Sequence, residues 1–155
     1  MQLDKGMVSH TYLENGIVSK QYLVPFHKYT PRNIKAHWDN EIKALKLLRG
    51  KKHFPQLISV DYANRIIYMS YCGDPLRKEN LPEDWKKQCT YIEKTLCNLY
   101  IYPQDFIGKD ANLTPPHNKN IHVKDGIIYL IDFGIWSTKH TEGFNTITDI
   151  VKQLA

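Results

Sequence analysis

His117, Asn120 and Asp132 are the residues whose types and spacing point most directly to chemistry. Between Asn120 and Asp132, Asp125-Gly126 is a turn signal set between an apolar run ending near Lys124 and a second run from Ile127 to Ile131. This pattern predicts a tight β-hairpin. Asn120 enters the first strand and Asp132 leaves the second. A hairpin lays its open ends side by side, so an amide oxygen and a carboxylate arrive together, with His117 three residues upstream of the amide. Oxygen donors of this kind suit a hard cation.

A second pair comes from the first half of the chain. The sequence predicts a helix over residues 31–49, with Thr30 as N-cap, Pro31 in the first turn and Gly50 as the stop. Ile34, Trp38, Ile42, Leu45 and Leu48 make one apolar face, and at about 100° per residue Glu41 projects into the middle of it. A carboxylate on a packed face needs a partner, because an unpaired buried charge is costly. Lys20, in a strand predicted over residues 17–23, is the candidate partner, although a lysine among Ile17, Val18, Tyr22 and Leu23 reads by itself as an outward-facing strand residue. The competing reading has Glu41 reach solvent through a gap in the packing.

These residues need elements to carry them. Strands over 8–13 and 17–23 flank Asn15-Gly16, a strong hairpin signal, and two more follow near 54–61 and 65–71, joined by Tyr62-Ala63-Asn64. Ser70 to Pro75 is a connector whose Gly73 and Pro75 end the strand. A second helix starts at Leu81-Pro82-Glu83-Asp84 and presents Trp85, Cys89, Ile92, Leu96 and Leu99 on one face. Few covers for that face are evident, which leaves room for a homodimer. The irregular stretch 100–116 leads into the hairpin, and Phe144, Ile147, Val151 and Leu154 suggest a short terminal helix. His122, inside a strand, reads as a packing residue.

With 155 residues, 42% hydrophobic and 24% charged, the composition suits one folded domain and argues against a disordered chain. The net charge of +5 is spread over scattered lysines, with local pairs only at Lys51-Lys52 and Lys86-Lys87. A basic stripe with interleaved aromatics is missing, so nucleic acid is not the expected partner. Cys72, Cys89 and Cys97 form no CxxC pair and are odd in number, which predicts free thiols in a reducing compartment. The sequence shows no secretory leader and no apolar run long enough to span a membrane, so a cytoplasmic location is expected.

Taken in order, Gly6, Lys20, Glu41, a glycine-bearing connector, Asn120 and Asp132-Phe133-Gly134 resemble the landmarks of the protein-kinase-like fold. The most specific piece is His117-x-x-Asn120-Ile121 with Val123 and then Ile131-Asp132-Phe133-Gly134, which is similar to the catalytic and metal-binding segments of phosphoinositide and related atypical kinases. The resemblance implies an α+β, two-lobed fold in one domain over residues 1–155. Its small β-rich first lobe, with one main helix, would span about 1–71, the connector about 72–78, and a strongly abbreviated helical second lobe about 79–155. It implies ATP and magnesium as cofactors. Lys20 would hold the α- and β-phosphates and be oriented by Glu41, Asn120 and Asp132 would hold the metal, the backbone from Met69 through Tyr71 to Gly73 would meet the adenine edge, and Asp74 would reach a ribose hydroxyl.

Three departures from that pattern shape the expectation. Gly6 is followed by Met7, Val8 and Ser9, so the phosphate-covering loop lacks its full glycine set. Pro115 stands five residues before Asn120, where most of these kinases carry the catalytic aspartate. His117, whose reference pKa near 6.5 suits proton transfer, is the preferred replacement, with Asp110 as the second candidate. The stretch from Gly134 to Ala155 is short for the peptide-binding helices of protein kinases, which favours a small-molecule, sugar or lipid hydroxyl over a protein as acceptor. Two readings follow: a minimal phosphotransferase, or a pseudokinase acting as a nucleotide-binding interaction module.

Overall fold

Two Asx-Gly dipeptides fix two hairpins, and the rest of the architecture is built on them. The computed structural model describes residues 1–5, 8–23, 34–103, 119–134, 136–139 and 146–155. It is a mixed α+β chain that divides into two compact units, Met1–Gly50 with Pro55–Tyr71 and Lys51–Phe54 with Cys72–Ala155.

The first unit contains β1 (Gln2–Lys5), β2 (Ser9–Glu14), β3 (Ile17–Tyr22), α1 (Ile34–Leu47), β4 (Leu57–Asp61) and β5 (Ile66–Ser70). The strands form one antiparallel five-stranded sheet in the order β1-β2-β3-β5-β4. Glu14 pairs with Ile17 across Asn15 and Gly16, whose φ angles of 52° and 76° give the left-handed turn that matches strand twist. The sequence pattern does not predict β1, because Gln2-Leu3-Asp4-Lys5 has one apolar residue. Pairing with β2 and the mutual bonds of Met1 and Leu13, at 3.0 and 2.8 Å, hold it in place.

α1 packs on this sheet through the face that the periodicity predicts. Val18, Tyr22, Ile34, Trp38, Ile42, Leu45, Ile67 and Met69 make the core, and the rings of Tyr22 and Trp38 meet edge to face at 5.5 Å. Gly50 (φ 77°) follows the helix, and its N–H donates to Gln56 Oε1 at 2.7 Å. Thr30 and Pro31 lie outside the described residues. Strand β4 starts at Leu57, later than expected from residue 54, because His53 and Phe54 belong to the other unit.

The second unit contains β6 (Asp74–Pro75), a 3-10 turn at Lys78–Asn80, α2 (Trp85–Asn98), β7 (Tyr102–Pro103), β8 (Ile121–Lys124), β9 (Ile127–Leu130), β10 (Trp136–Ser137) and α3 (Ile147–Val151). β8 and β9 form the expected hairpin, closed by Asp125 (φ 52°) and Gly126 (φ 75°), with β6 on the far side of β8. β10 pairs with β7, joining the chain beyond Gly134 to the end of the α2 region. Trp85, Cys89, Ile92 and Leu96 are buried, and α2 packs on β9 and α3. That face is therefore covered within the unit, and the rationale for a homodimer falls away. α3 begins with a reciprocal cap between Thr146 and Asp149, and Glu93 of α2 accepts the Thr148 N–H at 2.9 Å. Phe144 lies outside the described residues.

The three cysteines are free thiols, and burial, with Glu93 adding to it, pushes the Cys89 thiol up to about 12. Among the described residues, no helix is long and apolar enough to cross a membrane.

Candidate functional site

In the first unit, strand alternation turns Val18, Lys20 and Tyr22 toward α1, so Lys20 lies on the buried side of β3. Its Nζ donates to Glu41 Oε1 at 3.4 Å, with 10% and 1% of the two side chains exposed. The alternatives in which Lys20 faces outward or Glu41 reaches solvent are thereby excluded. Tyr22 supports the ammonium from below, 5.5 Å from ring centroid to Nζ. A buried ion pair is a poor device for stability alone, since apolar residues of similar volume serve a core as well or better. Charge at this place points to a use beyond packing.

The chain leaves this unit through the connector. Met69 is part of the apolar core, and Tyr71 packs half-buried against it. Gly73 has φ 88°, and a Cβ placed there would sit 2.1 Å from the Val123 carbonyl oxygen. Only glycine permits this approach. The Gly73 carbonyl accepts from His122 Nδ1 at 2.9 Å, while the Lys119 carbonyl lies 2.9 Å from Nε2 of the same ring. His122 is therefore not the packing residue its strand position suggests: it ties the connector to the residue preceding Asn120. Asp74 is exposed and pairs with Val123 in β6, and the Leu76 N–H donates to the Ile121 carbonyl at 2.8 Å. Gly73→Ala is expected to destabilise the protein by about 2–5 kcal/mol, left-handed strain adding to an overlap with a backbone atom that cannot rotate away. Urea unfolding of the variant beside the wild type measures it.

At the open end of the hairpin the Asn120 carbonyl accepts the Ile131 N–H at 2.8 Å, so Asn120 stands beside the residue that precedes Asp132. Asp132 has φ 66°, which breaks the strand alternation, and its Oδ1 accepts the Gly134 N–H at 3.2 Å. A short carboxylate that bonds its own backbone two residues on is one of the few side chains that tolerate this conformation. Phe133 is buried and anchors the turn against Phe54, with ring centroids 6.0 Å apart. Strained backbone at a half-buried carboxylate is a reason to look for function there.

A carboxylate and a carboxamide oxygen are donor types that magnesium takes, alongside several waters. Among the described residues no three His, Cys, Asp or Glu side chains gather as a metal cage. A cation held by Asn120 and Asp132 would draw its other ligands from a bound molecule and water. His117, Asp110, Pro115 and Gly6 lie outside the described residues.

Two residues carry no sign of their roles in the sequence. His53 is 4% exposed at φ 77°, with its Nδ1–H donating to the Ile128 carbonyl at 2.7 Å and its own carbonyl accepting the Leu130 N–H at 3.0 Å. Gln88 on α2 accepts the Ile128 N–H at 2.8 Å and donates to the Gly126 carbonyl at 2.9 Å and to Asp84 Oδ1 at 2.7 Å. A glutamine at the flank of an amphipathic helix, and a histidine after two lysines, look like ordinary surface residues.

Burial holds the His53 pKa below its ordinary 6.5, with Lys52 acting in the same direction and the Ile128 bond and Asp84 opposing. The unfolded chain then binds the proton more readily than the folded one. This contribution to stability is complete above about pH 6.5 and is lost as pH falls toward the folded value. His53→Asn tolerates the backbone and keeps a donor, so its urea midpoint should fall less than that of the wild type between pH 7.5 and 5.5, two pH settings straddling the about 6.5 of free histidine.

No protein-family model matches the chain, and no curated protein shows significant similarity to it.

Proposed function

We propose that this chain is a minimal kinase-like phosphotransferase that uses ATP and magnesium. The observation that carries the reading is the buried Lys20–Glu41 pair at 3.4 Å, an amine on the third strand and a carboxylate on the helix that follows. Phosphoryl transfer asks a protein mainly for positioning and for neutralisation of phosphate oxygens. Lys20 supplies a fixed cation for the α- and β-phosphates, and Glu41 holds that cation in place. Asn120 and Asp132 supply hard oxygen ligands. Magnesium, when bound, neutralises charge developing on the phosphate oxygens. Of the connector from Met69 through Tyr71 to Gly73, Met69 is paired within the sheet, so the backbone from Tyr71 to Gly73 would meet the adenine edge, and Asp74 would offer a carboxylate to the ribose. His117 takes the proton of the acceptor hydroxyl, with Asp110 as the alternative base.

The test is transfer of labelled γ-phosphate from ATP to a panel of small-molecule, sugar, lipid and protein hydroxyls, with Lys20→Ala and Asp132→Ala as controls. Transfer that both substitutions abolish supports the reading. Absence of turnover with any acceptor, beside intact nucleotide binding, overturns its enzymatic half.

Pro115, five residues before Asn120, favours a second reading: a pseudokinase that binds nucleotide and signals through a partner. Binding of Mg·ATP without hydrolysis or transfer distinguishes it.

A further inference from the structure

β9 leads into Asp132, and its two edges are held in different ways. β8 lines one edge, and across a hairpin of this register the N–H and C=O groups of Ile128 and Leu130 point away from β8. Among the described residues, no strand lies on that outer side. The Ile128 N–H goes instead to Gln88 Oε1, the Ile128 carbonyl to His53 Nδ1, and the Leu130 N–H to the His53 carbonyl, at 2.8, 2.7 and 3.0 Å. Ile128 is fully buried, so water does not reach these groups as an alternative.

Gln88 does more than fill a vacancy at the edge. Its amide accepts from Ile128 and donates to the Gly126 carbonyl, so one side chain grips both the turn and the strand. Asp84, one turn earlier at the start of the same helix, accepts from Nε2 at 2.7 Å and fixes which end of the amide faces the strand. The grip thus comes from α2, a rigid element whose own face is buried. Asp132 follows Ile128 by four positions, and between them Ile131 is bonded to Asn120. A displacement of β9 along or about its axis would carry both oxygen donors with it.

We propose that Gln88 is a positioning residue for the Asn120–Asp132 pair: it holds β9 at the height at which the two oxygens can share a cation. This rests on the phosphotransferase reading for the identity of the cation, and on the hydrogen bonds alone for the mechanical link. It touches neither nucleotide nor metal.

Gln88→Met, which keeps the length and loses all three bonds, is compared with Gln88→Glu, which keeps an acceptor for Ile128 and loses the bonds donated to Gly126 and Asp84. Amide resonances are followed in the metal-free protein, and ATP affinity is measured with magnesium and with chelator. Gln88→Met should displace the Asp132, Phe133 and Gly134 resonances as well as that of Ile128, and lower the magnesium-dependent affinity by about 10- to 100-fold, with chelator-condition affinity unchanged. Gln88→Glu sets a carboxylate oxygen against Asp84 Oδ1 and the Gly126 carbonyl in place of a donor, and should displace the Asp132 to Gly134 resonances as well. Wild-type resonances at Asp132 to Gly134 in folded Gln88→Met overturn the proposal, as does an equal loss of affinity in both conditions. If Gln88→Met does not fold, Gln88→Asn, one methylene shorter, is read by the same criteria. A wild-type chain that binds no ATP refutes the phosphotransferase reading, and the resonances then still decide the positioning role.

Discussion

Lys20→Met is expected to destabilise the first unit by about 3–5 kcal/mol, because it leaves the Glu41 carboxylate buried without the amine. Only 1% of the Glu41 side chain is exposed, so hydration cannot make good the loss. Adding Glu41→Leu should return most of that stability, since apolar pairs commonly replace buried ion pairs at little or no cost. On the proposed phosphotransferase function, phosphate transfer should not return with it. Loss of one preorganised cation at the phosphates costs about 10²- to 10³-fold in rate, and the double variant lacks that cation as the single one does. Urea unfolding and transfer assays on the same preparations separate the two roles. Transfer restored together with stability would assign the pair to folding alone.

On the same proposed function, Asp132 should respond in the opposite pattern, with a large effect on transfer and a small one on the fold. Asp132→Asn keeps a side chain that tolerates φ 66° and still accepts the Gly134 N–H, but removes the charge. Its stability should stay within about 0.5 kcal/mol of the wild type, while transfer falls by about 10²- to 10³-fold. Asp132→Ala should lose as much activity and in addition about 1–2 kcal/mol of stability, because alanine has no such bond and is strained at positive φ. The difference between the two variants isolates the backbone contribution. Equal stability of both would mean that neither the Asp132–Gly134 bond nor the positive φ matters to the turn.

Much of this site is legible in the sequence because it depends on local chemistry. Asn15-Gly16 and Asp125-Gly126 demand positive φ at both turn positions, and the chain complies at both. The pairing of Glu41 with Lys20 is one of the few solutions open to a carboxylate in the middle of an apolar face, so the sequence offers it as a candidate and burial on both sides selects it. The two bulky faces of α1 and α2 are readable from their period.

Other features depend on tertiary neighbours. β1 is polar and short, and exists because β2 offers it an edge. Gly73 looks like an ordinary strand terminator, yet its need for glycine comes from Val123, far along the chain. His53 takes a left-handed conformation that nothing in its local sequence announces, and its ring and carbonyl are bonded to the edge of β9. The cover on α2 comes from β9 and α3, which return to it from the far end of the chain. His122 fails as a packing residue because both of its ring nitrogens face backbone carbonyls.

The most direct measurement is a titration of the wild-type chain with ATP, followed by calorimetry and by melting temperature, with magnesium and again with chelator. The expected result is saturable binding that is tighter with magnesium, and a rise in Tm that follows the ligand concentration, equivalent to about 2.7 kcal/mol at a hundredfold excess over Kd. Neither heat of binding nor a shift in Tm under either condition would contradict the proposed nucleotide-dependent function.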